Sequence, residues 1–280
     1  MSRSRRGHPS IAESLREYGR GIGGGFLFSL PLILTMEVWS AGFTVTPLRL
    51  LAGVVGTYVL LCGYNAYAGL HHETRLDEIL VDSIEELGIG LALSAGILWM
   101  LGRIDLSMGV AEALGLILVE GLFVAVGVSV GTAQLTGGDD RGRGSAQGRQ
   151  QAISSELVLA ACGAVLIAAN VAPTEEILLL ASEMRPALLL TTLAASLTLA
   201  ATLLYFSNFA GSARFAGERG VFGVIHGTAI TYAVGLVASA ALLWFFGRFE
   251  DHSLTLNVGQ CVVLGLAATL GAAAGRLLLR

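Results

Sequence analysis

The chain has 280 residues, of which 54% are hydrophobic and only 14% charged, with a net charge of −4 and a mean hydropathy of +0.72. Soluble domains carry about 25% charged residues, so this composition excludes a soluble globular protein, and we expect no nucleic-acid partner. All 17 basic residues are arginine, which excludes retinal and pyridoxal chemistry because both need a lysine Schiff base.

The apolar stretches predict an all-α, polytopic membrane helical bundle of about eight transmembrane helices. A cytoplasmic N-terminal segment with an interfacial helix (1–20) precedes a first four-helix membrane repeat (21–134), a polar, glycine-rich cytoplasmic linker (135–153) and a second four-helix membrane repeat (154–280). The predicted spans are Gly21–Ala41, Leu48–Gly69, Asp82–Gly102, Leu106–Gly131, Ser155–Ala181, Pro186–Gly211, Val221–Gly247 and Leu256–Arg276.

The arginines divide unevenly between the two sides of this bundle. Eight spans place both termini on one side, and that side carries 13 of the 17 arginines. The other side carries only Arg49, Arg103, Arg185 and Arg248. Because positive residues accumulate on the cytoplasmic side, the pattern predicts a multi-pass protein of the plasma (inner) membrane with both termini in the cytoplasm.

The two halves of the chain match each other in sequence. Gly90–Asp105 and Gly235–Glu250 share eight of 16 residues without a gap. Spans four and eight carry glycines at the same spacing, namely Gly115, Gly121, Gly127 and Gly131 against Gly259, Gly265, Gly271 and Gly275. The match predicts two parallel repeats related by an axis along the membrane normal, with the glycines allowing helices to approach closely.

A duplicated chain of this length, with an acid near the end of span one and a Pro-Thr-Glu-Glu turn in span five, resembles an uncharacterised family of bacterial integral membrane proteins, a domain of unknown function. The resemblance covers most of the chain. It implies a polytopic membrane protein, and it brings no established activity with it.

Ionisable side chains inside the predicted spans are the first candidates for function. On insertion scales a charge at the bilayer centre costs roughly 2.5–3.5 kcal/mol, and such groups usually face a pathway or cavity. Glu120 lies near the middle of span four, whereas Glu37 and Glu176 lie in the outer third of spans one and five. Secondary candidates are Glu112, at a similar depth in span four, and Glu85, Glu86 and His226, near the cytoplasmic ends of spans three and seven. Together they predict a discontinuous ladder of proton-accepting or cation-binding groups.

Two prolines predict helix kinks beside these acids. Pro31 and Pro173 each lack a backbone N–H and leave a carbonyl unpaired one turn earlier. Further oxygen ligands nearby come from Thr35, Asn170, Thr174, Glu175 and Glu176. Oxygen ligands suit a proton, Na⁺ or Ca²⁺ better than a soft transition metal. A structural interpretation stays open, in which Glu175 and Glu176 only end the helix at the outer interface.

Enzyme signatures are missing, since the sequence has no HExxH, GxSxG or phosphate-binding glycine loop. Cys62, Cys162 and Cys261 share no CxxC spacing and are interpreted as packing residues, so we expect neither an enzyme nor a cofactor. The favoured function is a cation or proton channel or transporter that uses the intramembrane carboxylates. The alternative is a non-transporting membrane sensor or assembly scaffold. The bilayer is the expected partner, with a transported cation, and homo-oligomerisation is left open.

Topology tags test the predicted repeat. We expect tags near Gly144 and at Arg280 to report the cytoplasm and a tag near Thr44 to report the opposite side, because an even number of spans separates the first two sites. Cysteine-accessibility labelling in intact cells measures this. Finding the linker and the C-terminus on opposite sides would rule out two parallel four-span repeats.

Overall fold

The computed structural model describes residues 11–68, 76–134, 149–209 and 220–278, and within these ranges the fold is entirely helical. Residues 1–10 of the predicted N-terminal segment and 135–148 of the predicted linker lie outside them. The described helices are α1 (Ile11–Ile33), α2 (Met36–Thr44), α3 (Pro47–Ala68), α4 (Leu76–Met100), α5 (Val110–Gln134), α6 (Arg149–Ala168), α7 (Glu175–Glu183), α8 (Pro186–Phe209), α9 (Gly220–Phe245) and α10 (Leu254–Leu278). The predicted all-α class is confirmed.

Six of the described helices are long and apolar enough to cross a membrane, namely α3, α4, α5, α8, α9 and α10. A seventh span results if the bent pair α1–α2 counts as one. The chain is therefore a polytopic helical membrane protein, whereas the count of eight stays a prediction. Residues 11–20 belong to α1, which continues to Ile33, so this part of the predicted interfacial segment is not a separate helix.

Predicted spans one and five are broken helices rather than kinked ones. The axis turns by 85° between Tyr18–Ile33 and Met36–Thr44. Span five is divided into α6 and α7 by residues 169–174. With nine residues each, α2 and α7 are only about 13 Å long, too short to cross a bilayer. In both halves a long helix, a short helix and three long helices follow in the same order.

Consecutive long helices run in opposite directions, so the bundle has two ends. We call the end with α2, α7 and loops 101–109 and 246–253 the break end. The opposite end, where α5 stops at Gln134 and α6 begins at Arg149, is the linker end. An ion pair of 2.7 Å between Arg49, near the start of α3, and Glu250, between α9 and α10, joins the halves at the break end.

The helices α5 and α10 are central to their halves. The other four helices of the first half all pack on α5, and those of the second half all pack on α10. The halves meet mainly where α3 packs on α6, with smaller contacts of α5 and α1 on α6 and of α3 on α9. One apolar core continues from half to half, and in it Phe123 of α5 stacks on Phe246 with ring centroids 5.8 Å apart.

Glycines form the closest helix contacts of both halves. A methyl group on Gly127 of α5 would lie 3.2 Å from the Gly24 carbonyl oxygen of α1. In the second half, a methyl group on Gly275 of α10 would lie 3.0 Å from the Cα of Gly163 in α6. Since these separations leave no room for a side chain, the backbones themselves are in contact. The predicted packing role of these glycines is confirmed.

The remaining matched glycines contact corresponding helices. Gly115 of α5 lies against Gly42 of α2, and Gly259 of α10 lies beside Ala181 of α7. Further along, Gly121 of α5 contacts Leu91 of α4, just as Gly265 of α10 contacts Leu236 of α9. The four glycines of each central helix therefore fix the positions of a long helix, a short helix and one further neighbour.

Replacing a glycine at these contacts tests the packing. We expect Gly127→Leu and Gly271→Leu each to lower the free energy of unfolding by about 1–3 kcal/mol, because an inserted side chain must separate two touching backbones. Thermal unfolding in detergent measures the effect. Gly96→Leu in α4 is the matched control, since nothing lies within 4 Å of its Cβ position. Equal melting temperatures for all three variants would contradict the assignment.

Candidate functional site

The first break separates α1 from α2. Pro31 lies inside the last turn of α1, and Thr35 is extended (φ −97°, ψ 122°) as the N-cap residue of α2. The Thr35 hydroxyl donates to the Pro31 carbonyl at 2.6 Å, and the Trp39 indole N–H donates to the Ile33 carbonyl at 2.8 Å. Side chains of the break thus satisfy two carbonyls at its edge, as a membrane interior requires.

The second break separates α6 from α7 and uses related contacts. Thr174 is again extended (φ −78°, ψ 150°), and its hydroxyl donates to the Val171 carbonyl at 2.8 Å. The Asn170 amide donates to the Leu166 carbonyl at 2.6 Å and to the Phe28 carbonyl at 3.4 Å. Because Phe28 belongs to α1, Asn170 also links the halves.

In each half a tight turn places one arginine next to the helix break. The chain leaves α4 through Gly102 and leaves α9 through Gly247, with φ values of 67° and 76°. Residues with a Cβ rarely adopt positive φ, so glycine at both positions follows from the turn. The next residue in the first half, Arg103, places its guanidinium 3.6 Å from the centre of the Trp39 ring, a cation–π contact at the α1–α2 break.

In the second half the corresponding Arg248 makes direct polar contacts. Its guanidinium donates to the Pro173 carbonyl and to the Glu175 carboxylate at 2.6 Å. The Arg248 side chain is 18% exposed, whereas that of Glu175 is 67% exposed. Pro173, predicted to kink a helix, lies in the break itself and has its carbonyl satisfied by this arginine.

Glu120 is the exception among the predicted acids. It lies in α5 and is completely buried, and neither carboxylate oxygen has a hydrogen-bond partner among the described residues. The Trp39 indole lies close enough to interact with the carboxyl group, although its N–H makes its hydrogen bond of 2.8 Å to the Ile33 carbonyl. A buried polar group without a partner costs free energy and calls for an explanation by function.

The second half carries no acid at the corresponding position. Glu120 precedes Gly121 in α5, and Leu264 precedes Gly265 in α10. Leu264 is also completely buried. Since a leucine fills the corresponding position of a helix with similar contacts, packing alone does not account for a carboxylate at Glu120.

Glu37 and Glu176 occupy corresponding places near the break end. They lie in the first turns of α2 and α7, where an acid is stabilised by the helix dipole. Glu37 is half-buried and Glu176 is exposed. Among the described residues no three His, Cys, Asp or Glu side chains form a group that could hold a metal ion. Glu37, Glu120, Glu175 and Glu176 are therefore not gathered into one such group.

Other predicted candidates lie at the surface or toward the linker end. The half-buried Glu86 of α4 accepts a hydrogen bond from the Asn65 amide of α3 at 2.8 Å, and the Ser129 hydroxyl of α5 donates to the Asn65 carbonyl oxygen at 3.4 Å. Glu85 accepts a hydrogen bond of 2.5 Å from Tyr18 of α1. Glu112 and His226 are exposed.

Sequence reasoning missed a buried ion pair. Arg276 of α10 is 5% exposed and binds Glu156 of α6 at 2.7 Å. It also donates to the Gly227 carbonyl at 2.9 Å and to the Thr231 hydroxyl at 2.5 Å, both in α9. The sequence placed it only among the 13 arginines on the side of the termini. Only the packing of α6, α9 and α10 reveals a link between three helices.

The role of Trp39 was missed as well. In the sequence it is visible only as an apolar neighbour of Glu37. It also lies outside the two 16-residue segments that match between the halves. In the structure it contacts the backbone of the break, the Arg103 guanidinium and Glu120. An indole N–H two residues after Glu37, inside a long apolar stretch, is the signal that could have identified it.

Loop 101–109 is held at the break end by Asp105. Its carboxylate accepts hydrogen bonds from the Ser107 hydroxyl at 2.5 Å, the Ser107 N–H at 2.7 Å and the Met108 N–H at 3.0 Å. These bonds favour the ionised form, with the hydroxyl bond contributing most, and they lower the pKa of Asp105. The loop carrying Arg103 therefore keeps its turn at neutral pH.

Chemically, the described residues offer one completely buried carboxyl group, that of Glu120, which can hold or release a proton and lies close to a break in a helix. A family model described as putative integral membrane protein, DUF2391, matches residues 17–279. No curated protein and no solved structure matches the chain significantly.

The contacts of Arg248 generate a prediction about the second break. We expect Arg248→Ala to lower the melting temperature in detergent, since the buried Pro173 carbonyl loses its donor and an unsatisfied buried acceptor costs about 1–3 kcal/mol. Glu175→Gln should cost much less, because an exposed ion pair contributes only about 0–1 kcal/mol. Arg185→Ala, at an exposed position, is the control. An equal loss in Arg248→Ala and Glu175→Gln would contradict this account.

Proposed function

We propose that this chain, which belongs to the DUF2391 family of integral membrane proteins, moves protons across its membrane through Glu120. The observation that carries the proposal is the complete burial of this carboxyl group without a hydrogen-bond partner. Ionisable groups inside a membrane are usually part of an ion or proton pathway. The leucine at the corresponding position of α10 supports a role other than packing.

Among the cations considered, the surroundings of Glu120 favour the proton. Ca²⁺ takes six to eight oxygen ligands, and no suitable group of acids was found among the described residues. The hydroxyl protons of Thr35 and Thr174 are already donated to backbone carbonyls. A single carboxyl group in apolar surroundings can hold a proton in neutral form, so it needs no other ligand.

Access from the break end would pass the first break. Trp39 contacts the break, the Glu120 carboxyl group and the Arg103 guanidinium. A movement of its indole would therefore expose the carboxyl group of Glu120 to the break. Releasing the Ile33 carbonyl would accompany that movement, because the indole N–H donates to it. Glu37, in the first turn of α2, would raise the local proton concentration at this entrance.

Toward the linker end, the next polar group on α5 is Ser129, which is hydrogen-bonded to Asn65. It lies nine residues after Glu120, or about 13 Å along the helix. That distance is too long for one hydrogen bond, so proton transfer would require water to enter between them. Glu86, bound to the same Asn65, would be the next proton acceptor.

Particular contacts favour a second candidate function, a non-transporting membrane sensor or assembly scaffold. Glu85, Glu86 and Glu175 each have a side-chain partner in another helix or loop. The threonine hydroxyls of both breaks bind backbone carbonyls. Such contacts are typical of polar groups that hold membrane helices together.

We also propose that both termini lie in the cytoplasm and that the two halves arose by duplication. The excess of arginine on one side supports cytoplasmic termini in the plasma membrane. The matching glycine contacts of α5 and α10 support an origin by duplication. Corresponding positions that differ, such as Glu120 and Leu264, would then mark a specialised first half.

Proton flux in liposomes tests the proposal. We expect Glu120→Gln, which keeps the shape and removes the ionisable group, to reduce flux by roughly 100-fold or more, a magnitude typical of a positioned proton-transfer group. A pH-sensitive dye inside the vesicles reports the flux under an imposed potential. Glu183→Gln, an exposed acid outside the proposed pathway, should behave as wild type. Melting temperatures check that each variant is folded.

Two results would contradict proton transport. One is wild-type protein that is inert to protons, Na⁺ and Ca²⁺ under every imposed gradient. The other is a folded Glu120→Gln variant with unchanged flux. Either result would favour the sensor or scaffold function.

A further inference from the structure

A second feature, independent of Glu120, lies between the halves. An apolar groove with a volume of about 570 Å³ separates α3 from α9. Its lining includes Phe123 of α5 and Val165 of α6, and Thr57 and Trp244 are the two lining residues that carry a polar atom in the side chain. We propose that this groove binds one acyl chain of a phospholipid from the leaflet at the break end.

The depth of the groove indicates the occupant. On α9 its lining residues extend from Ala233 to Phe245, about 18 Å along the helix. On α3 they extend from Ala52 to Leu60, about 12 Å. In both helices the lining starts near the break end and stops about halfway. A leaflet contributes about half of the roughly 30 Å hydrocarbon core, so the groove accommodates one lipid chain.

Small residues keep the groove open. Nothing lies within 4 Å of the Cβ position of Gly56, which lines it on α3. Gly53, one turn closer to the break end, is already covered, since a methyl group there would lie 2.6 Å from Phe245 of α9 and 2.9 Å from Leu122 of α5, so α3 and α9 touch at this level and part beyond it. The opposite wall is formed by α9, where Ala241 and Val237 line the groove with short side chains. The chain itself therefore does not fill the space beside Gly56.

The break-end mouth of the groove is polar. Trp244 lines it there and is 40% exposed. The Arg49 guanidinium lies 5.7 Å from the centre of the Trp244 ring and pairs with Glu250, whose side chain is 60% exposed. Tryptophan is enriched at headgroup level, and a paired cation and anion offer partners to a phosphate and to a charged headgroup amine. The polar part of a phospholipid would lie here while its chain enters the groove.

A bound chain would complete the contact between the halves. The groove separates α3, from the first half, and α9, from the second. An acyl chain would fill apolar space that otherwise lacks van der Waals partners. The lipid would therefore act as part of the interface rather than as bulk solvent.

Quenching by a brominated lipid tests this inference. In a Trp39→Phe/Trp99→Phe background Trp244 is the one remaining tryptophan. Delipidated protein in detergent is titrated with a phosphatidylcholine that carries bromine on its acyl chains. We expect saturable quenching of Trp244 near one lipid per chain. Gly56→Leu should weaken the apparent affinity by roughly tenfold, because its side chain displaces part of the acyl chain.

Gly88→Leu and Gly96→Leu in α4 are matched controls, since neither Cβ position has an atom within 4 Å and neither residue lines the groove. Both should titrate as the background protein does. If Gly56→Leu does not fold, Ala241→Leu replaces it on the opposite wall. Absence of saturable quenching, or equal quenching in the groove variant and the controls, would overturn the proposal. So would a wild-type dimer that dissociates on Gly56→Leu without any bound lipid.

Discussion

Satisfying the backbone at two helix breaks is the constraint on which much of this structure depends. A membrane interior offers no water to bind an unpaired carbonyl, so each break must bring its own donors. Threonine hydroxyls, an asparagine amide, the Trp39 indole and the Arg248 guanidinium supply them. Several residues that the sequence suggests as ion ligands therefore donate hydrogen bonds to backbone carbonyls of the breaks.

The glycine contacts determine where those breaks lie. Because Gly127 and Gly131 let α1 touch α5, and Gly271 and Gly275 let α6 touch α10, each broken helix is held against a central helix. Gly115 and Gly259 then place α2 and α7 beside the same central helices. This close packing is what puts Trp39, at the start of α2, next to a residue in the middle of α5.

The two halves use similar scaffolds for different chemistry. In the second half an arginine is bound to the break and to Glu175, and the central helix has Leu264 where the first half has Glu120. In the first half the corresponding arginine contacts an aromatic ring and the carboxyl group has no partner. A carboxyl group is thus present in one half without a change in the helix contacts, and an apolar groove lies between α3 of the first half and α9 of the second.

The sequence by itself determined the membrane class, the helical fold and the packing role of the paired glycines, and it predicted the repeat. These depend on composition and on spacing along one helix, which a sequence records directly. It also identified Glu120 as a candidate, because a carboxyl group in a long apolar stretch is visible without coordinates. Only the tertiary structure decided that spans one and five are broken, that Thr35 and Thr174 donate to carbonyls, and that Arg276 is buried against Glu156. It alone placed Trp39 beside Glu120 and opened a groove between α3 and α9. These features depend on residues far apart in the chain, and their contacts are set by how helices pack rather than by any local pattern.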